Sequence, residues 1–303
     1  MAALQYIQRK DIDTARWDTC IDEAPNGLIY AYVCYLDKMA KHWDALVLGD
    51  YEAVMPLTWN KKWNISYLYQ PPFTASLGIF GKLLTEEIVR AFIAAIPVHF
   101  KLIEINLNYG NILSASSGFS ILRNNYTLSL HKSYDELYKG YRENIRRNVR
   151  KAIQLNCRYE TGIDINAILQ LSHEQMGKVA SISEEDFNNF RDLYQQLLTK
   201  GQALSCGVYS PDGMLIASCV YFFSHQRAYY ILVGNHPDGR TIGASHFLID
   251  RFIHDHAGQD LLLDFEGSDI RNVAFFYSSF GAVAEIYPAL HINRLPWYVK
   301  WMK

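Results

Sequence analysis

Cysteine is scarce and unpatterned in this sequence. The 303 residues include five, Cys20, Cys34, Cys157, Cys206 and Cys219, with no C-x-x-C pair and no histidine at metal-ligand spacing. That excludes a disulfide framework or a zinc knuckle and leaves small buried hydrophobes in a reducing compartment, with no metal expected. Long apolar runs are missing as well. None approaches the roughly 20 residues of a membrane span, and the first ten residues lack the apolar core of a signal peptide, so the expected location is the cytoplasm. Nor is one sign of charge in excess: 29 Lys and Arg against 31 Asp and Glu give a formal charge of -2. A surface given wholly to nucleic acid is excluded, while a local basic patch stays open.

What is present is an ordinary globular balance, half hydrophobic and one fifth charged. A chain of this length exceeds what one core usually organises, which points to two domains. Tyrosine is abundant, with 21 residues that serve either pockets or large cores. One stretch organises the rest. The apolar run Tyr229 to Val233 reads as a buried strand, Asn235 to Arg240 as the turn that stops it, and Phe247, Leu248, Phe252 and Ile253 as the packed face of a helix beginning near Gly243. Such a helix opens with amides that lack intrahelical partners; Gly243 would let a ligand approach the backbone, and Arg240 adds a positive charge to the dipole. The mouth suits a phosphate.

The order of elements around this unit occurs twice. Residues 44–57 make a hairpin over Gly49 and Asp50, followed by a strand from Ile65, a loop, a helix capped by Thr85 and a return strand from Lys101 to Leu107. Residues 204–266 repeat hairpin, strand, loop, helix and strand, as duplication of one domain would give. The expected domains are 1–125 and 126–303. Between the copies lies a helix from Tyr134 to about Leu155. Its Arg142, Arg146 and Arg150 recur every four residues, Arg147 and Lys151 extend the positive face, and Ile145, Val149, Ala152 and Ile153 form the buried side. This face reads either as an anion site or as a solvated surface. After the last return strand, residues 270–280 read as a helix ended by Gly281, and 284–291 as a final strand.

The motif Arg240-x-x-Gly243-x-Ser245, the strand order around it, and Tyr277 four residues before Gly281 resemble the GNAT acyltransferase superfamily. The duplicated unit, the basic segment Tyr141 to Ala152 and the segment Phe276 to Gly281 resemble its Fem-type branch, whose members transfer amino acids from aminoacyl-tRNA to peptidoglycan precursors. The resemblance implies an α+β mixed-sheet fold of two tandem GNAT-like domains. It implies acyl-CoA as co-substrate, held by Val233, Asn235, Arg240, Thr241, Ile242, Gly243, Ala244, Ser245 and His246. Ser245 departs from the usual Gly or Ala of the pyrophosphate loop, and Ile270 stands where an Asn usually precedes the Tyr.

Transfer to an amine needs a base, oxyanion donors and an acid for the leaving group. Glu266 is the candidate base or amine anchor, with Asp264 two residues earlier expected on the same strand face, and Tyr277 is the candidate acid. Ser268, Asp269, Arg146 and, from the first copy, Tyr69, Gln70 and Phe73 are the candidate acceptor-lining residues. The first copy carries no Arg in its loop, and Pro71 and Pro72 remove N–H donors there. The reading is an N-acyltransferase that moves an acyl group from acyl-CoA to an amine bound between the domains. The alternatives are an aminoacyl-tRNA-dependent transferase acting on a peptidoglycan precursor, with tRNA as partner, and an inactive module that binds a small anion or a partner protein.

Overall fold

Helix starts obey the capping chemistry written in the sequence. Asp13 accepts from the amides of Ala15 and Arg16, Thr85 from Ile88, and Ser183 forms a reciprocal capping box with Asp186. The computed structural model describes residues 3–114, 120–176, 182–267 and 269–295. The chain divides into two units, residues 1–123 with 286–303, and residues 124–285.

The first unit runs β1 (Leu4–Gln8), α1 (Thr14–Glu23), α2 (Val33–Met39), β2 (His42–Leu48), β3 (Ala53–Lys62), β4 (Ile65–Leu68), the short β5 (Phe80–Gly81), α3 (Glu86–Ala95) and β6 (Phe100–Asn106). Strands β1 to β4 are successive antiparallel neighbours, and β6 returns parallel to β4. The apolar face of α3, Val89, Phe92 and Ile93, packs with Met55, Leu57 and Ile103 of the sheet. Each such fully buried side chain stabilises the unit by about 1.5–3 kcal/mol.

The second unit runs β7 (Ser120–Ser129), α4 (Tyr134–Gly140), α5 (Glu143–Gln154), β8 (Arg158–Thr161), α6 (Ile165–Met176), α7 (Glu184–Thr199), β9 (Ala203–Tyr209), β10 (Leu215–Ser224), β11 (Arg227–Asn235), α8 (Pro237–Ile242), α9 (Ala244–His256), β12 (Leu262–Asp264) and α10 (Arg271–Ser278), and the last strand, β13 (Val283–Asn293), belongs from residue 286 onward to the first unit. Strands β8 to β11 are antiparallel neighbours, β12 lies parallel to β11, and β7 closes antiparallel on β12. Helix α9 covers this sheet, with Phe252 stacked on Tyr221 at 3.7 Å between ring centroids. Both units thus contain a strand, two helices, an antiparallel run of strands, a crossover helix and a parallel strand in that order, but the second unit places β8, α6 and α7 before its hairpin and a further short helix, α8, before the crossover helix.

Three expectations are corrected. The helix expected from Tyr134 to Leu155 is two helices, because Tyr141 and Arg142 are extended and the Arg142 amide donates to Ser279 O at 2.9 Å. On α5, Ile145, Val149 and Ala152 are buried, but Ile153 is 54% exposed. Residues 286–303 group with the first unit rather than the second, since residues 289–293 pair with β6.

In the first unit, the stretch that follows β4 is held by buried amides. The fully buried Asn108 donates to Leu77 O and Ile79 O at 2.9 and 3.0 Å, and accepts from Asn26 Nδ2 and the Gly110 amide at 2.8 and 3.0 Å. Asn111 donates to Ile79 O and accepts from its amide, both at 2.8 Å. Truncation of Asn108 strands several of these groups away from water. Asn108→Ala is therefore expected to lower the stability of the first unit by about 2–4 kcal/mol, read as an earlier urea-unfolding transition; an unchanged midpoint would show that the loop does not depend on this amide.

Candidate functional site

The site begins where two parallel strands part. Strands β11 and β12 pair only over Arg227 to Tyr229 and Leu262 to Asp264. Beyond that, β11 continues against β10 as far as Asn235, and the Phe265 amide turns to Tyr126 O of β7 at 2.9 Å. The register of β11 on β10 skips Ile231, a bulge just past the last β12 pair. Bulges bend a strand and re-aim its side chains, and the carboxyl ends of parallel strands are where open α/β sheets form crevices. Aromatic rings gather at this point. Tyr277 of α10 stacks on Phe265 at 4.6 Å and meets the ring of buried Tyr230 at 6.4 Å in a T-shaped arrangement. Burial, then the charge of Glu266, push the Tyr277 phenol well above its ordinary pKa, so it stays protonated and able to donate.

Glu266 sits in a strained turn. It has φ of 62° and Gly267 of 78°, two consecutive left-handed residues, and only the second is glycine. For a non-glycine residue this conformation costs on the order of 1 kcal/mol or more and persists only where the surroundings impose it. Here they do. The Glu266 amide donates to Asp264 Oδ1 at 2.8 Å, and a Cβ on Gly267 would come within 2.8 Å of Asn124 O. Asp269 accepts from the Asn124 amide at 3.3 Å.

Asp264 is itself anchored, 3% exposed, by Arg227 at 2.7 Å and Asn125 at 2.9 Å, while Arg227 also makes a two-pronged pair with Glu285 at 2.9 and 3.0 Å. The expectation that Asp264 and Glu266 share a strand face fails because β12 ends at Asp264 and the chain then turns left-handed. Ser268 lies outside the described residues.

The expected phosphate mouth is more closed than the sequence implies. Residues 237–242 form α8 rather than a loop: His236 accepts from the Asp238 amide and Pro237 takes the first helical position. Gly243 is left-handed at φ 84°, ending α8 and starting α9. The space where its Cβ would stand is not a void, since Asn148 O of α5 lies 2.8 Å away. Lys151 donates to Thr241 O at 2.7 Å. What remains for an anion is narrower: Arg240 is exposed, and the amides of Ala244 and Ser245 have no hydrogen-bond partner among the described residues. The Ser245 hydroxyl donates to Asn235 Oδ1. Val233 pairs with Cys219 in the sheet, and both Val233 and Ile242 pack partly into the core.

The other candidates hold structure. Arg146 donates to Lys139 O at 2.7 Å and lies over the Tyr138 ring, whereas Arg147, the next residue, is exposed with no partner among the described residues. In the first unit, Tyr69 OH accepts from the Lys41 amide at 2.8 Å, Gln70 bridges Thr74 O and the Asn106 amide at 3.0 Å each, and Phe73 O accepts from Tyr35. The sequence reading missed Tyr230, Phe265, Arg227 and Asn125, and nothing short of the fold marks them. Among the described residues there is no cluster of three or more metal-ligating side chains, and no helix is long and apolar enough to cross a membrane.

His246, in the first turn of α9, packs edge-on to Phe276 at 5.0 Å, and its Nδ1 is buried without a partner. Burial lowers its pKa from 6.5 to about 4, so the ring is neutral at pH 7. In the unfolded chain the same ring binds a proton near pH 6.5, so stability is full above that pH and falls as pH drops towards 4. Wild type is expected to lose up to about 3 kcal/mol more than His246→Gln between pH 7 and pH 4, measured by denaturant unfolding; parallel pH profiles would contradict a buried neutral ring.

Residues 139–269 match the family model described as an acetyltransferase (GNAT) domain. No curated protein sequence matches the chain. Solved structures do. FemX is similar at 13% identity and TM-score 0.64, over 97% of this chain and 98% of that one. A conserved protein of unknown function from Bacteroides thetaiotaomicron VPI-5482 is similar at 14% identity and TM-score 0.58, over 96% and 100%. The C-terminal domain of a putative lysylphosphatidylglycerol synthetase from Agrobacterium fabrum is similar at 11% identity and TM-score 0.56, over 93% and 92%. With the mixed sheet, the parted parallel strands and the matched domain in hand, the chain has a Fem-type fold of the GNAT acyltransferase superfamily.

Proposed function

We propose that this protein is an N-acyltransferase that moves an acyl group from acyl-CoA to an amine. The observation that carries the reading is the meeting of a strained Glu266 and a protonated Tyr277 at the point where β11 and β12 part. Glu266 takes the proton from the attacking amine, directly or through water. Tyr277 returns a proton to the departing sulfur as the carbon–sulfur bond breaks and the amide bond forms. The bound co-substrate supplies an activated thioester, and its diphosphate fits the exposed Arg240 and the uncommitted amides of Ala244 and Ser245, but not the Gly243 face covered by α5. The repeated element order supports descent by duplication, with the donor chemistry kept in the second copy alone.

Acetyl-CoA is expected to raise the melting temperature of the native chain by mass action, with affinity at least about tenfold weaker in Arg240→Ala. With acetyl-CoA and a panel of primary amines, thiol release is expected to fall by roughly 10²–10⁴ in Glu266→Gln and by a similar order in Tyr277→Phe. Turnover unchanged in both variants would remove them from the chemistry.

A second reading keeps the fold and replaces acyl-CoA by aminoacyl-tRNA, as the Fem-type resemblance implies, with a peptidoglycan precursor as acceptor. The unpartnered Arg147 on the exposed face of α5, beside Arg150 and Lys151, favours it. On this reading Arg147→Glu weakens tRNA binding and flattens its salt dependence, while acetyl-CoA leaves the melting temperature unmoved; tRNA binding that ignores both salt and Arg147 would end it.

A further inference from the structure

One end of the first unit's sheet combines exposed apolar side chains with positive charge, and neither the core nor the proposed transfer chemistry uses it. Strands β3 and β4 are joined there by Trp63 and Asn64, with Lys62 and Ile65 as the closing pair. Both turn residues are left-handed, at φ of 48° and 64°. A two-residue hairpin turn of this hand favours Asn and Gly, and a bulky ring at its first position is strained. Trp63 gains little burial in return: it is 68% exposed, with the Lys62 ammonium 4.8 Å from its ring centroid.

Strand β6 begins beside this turn. Lys61 pairs with Ser66 across the hairpin and Ser66 with Phe100 of β6, so the three lie in one row across the sheet. The turn that leads into β6 carries Val98, which is 75% exposed, and Arg294 holds that turn by donating to Ile96 O and Pro97 O at 3.2 and 3.4 Å. Trp63 and Val98 therefore stand at the same end, just before the amino ends of the parallel pair β4 and β6. A single exposed apolar side chain needs no explanation. Two on neighbouring turns, one of them on strained backbone, call for one.

The charge around them has one sign. Lys61, Lys62 and Lys101 have no carboxylate partner among the described residues, and residues 40–43, 57–69, 96–103 and 291–295 contain no Asp or Glu. The next carboxylates along β2 and β6 are committed: Asp44 accepts from Tyr6 OH and the Arg9 amide at 2.6 and 3.0 Å, and Glu104 lies 3.1 Å from His291 Nδ1. Two copies of such an end would set like charge against like, which disfavours self-association. A nucleic acid would meet the lysines and stack on Trp63, but Val98 has no π-face to offer a base. An anionic bilayer matches every feature. Tryptophan rests at headgroup level, valine reaches the acyl boundary, and lysines meet the phosphates while their stems lie along apolar surface.

We propose that this end of the first unit, formed by Trp63 and Val98 with Lys61, Lys62 and Lys101, docks reversibly on the surface of an anionic lipid bilayer. It shares no residue with Glu266, Tyr277 or the α8–α9 mouth, so it stands or falls independently of the acyl-transfer reading.

Co-sedimentation of the full chain with unilamellar vesicles tests it. Binding is expected to vesicles of about 30% phosphatidylglycerol in phosphatidylcholine, at least about tenfold weaker to phosphatidylcholine alone, and falling as salt rises from about 0.05 M to about 0.5 M. Trp63→Asn relieves the strained turn and keeps or raises the melting temperature, yet is expected to weaken binding to the anionic vesicles by about fivefold or more. Lys61→Glu combined with Lys62→Glu is expected to weaken it by about tenfold or more. The proposal is overturned if the chain stays in the supernatant with both vesicle types, if it binds both alike, or if both variants bind as wild type does. Binding to tRNA but not to vesicles, lost in the same variants, would make this a nucleic-acid surface and overturn the proposal as well. Should a variant fail to fold, the two vesicle compositions and the salt series on the native chain decide alone.

Discussion

A single buried carboxylate sets the geometry on which the candidate site depends. Asp264 ends β12, and instead of facing water it accepts from Arg227, from Asn125 and from the backbone amide of Glu266. The first two contacts pin the strand end to β11 and β7. The third fixes the next residue but one in a conformation that an L-residue rarely adopts. An ion pair this deep contributes little net stability over an apolar replacement, whereas loss of one partner leaves an uncompensated charge. What it brings here is geometry: the turn bearing Glu266 has one conformation available, with Tyr277 behind it.

The same second unit shows how a fold can keep a motif while changing its use. Arg240, Gly243 and Ser245 have the spacing of a pyrophosphate loop, yet α8 and α5 occupy part of the room such a loop would leave open. Gly243 is needed twice over, for its left-handed backbone and for the close approach of Asn148. The carbonyl end of α8 also lies next to the amino end of α9, which reduces the positive field there. The donor contacts that survive are the two uncommitted amides and Arg240, so the grip on a diphosphate is lighter than the motif alone implies.

Much of the architecture was legible in the chain. Alternation, turn residues and caps located the hairpins and the helices from Thr85 and Gly243, since these signals are local. Where local signals carry two meanings, the reading went astray. His236 and Pro237 serve as turn residues or as the N-cap and first residue of a helix, and the fold takes the second use. The extended pair Tyr141 and Arg142 looks like helix until Ser279 supplies the acceptor that stops it. Tyr69 and Gln70 follow the strand Ile65–Leu68, but their side chains bind the loop to its own neighbours rather than standing free. Tyr230, Phe265 and Arg227 were invisible as site residues, because an apolar run and a strand-start arginine look the same whether they line a crevice or a core.

The central claim is that the parted ends of β11 and β12, with the mouth of α9, receive an acyl donor. Amide hydrogen exchange of the full chain with and without acetyl-CoA reads this directly. The account expects slowed exchange at the Ser245 amide, along residues 231–235 and at Glu266 and Gly267, with little change on α6 and α7. Protection confined to other surfaces, or none at a concentration that saturates binding, would contradict it.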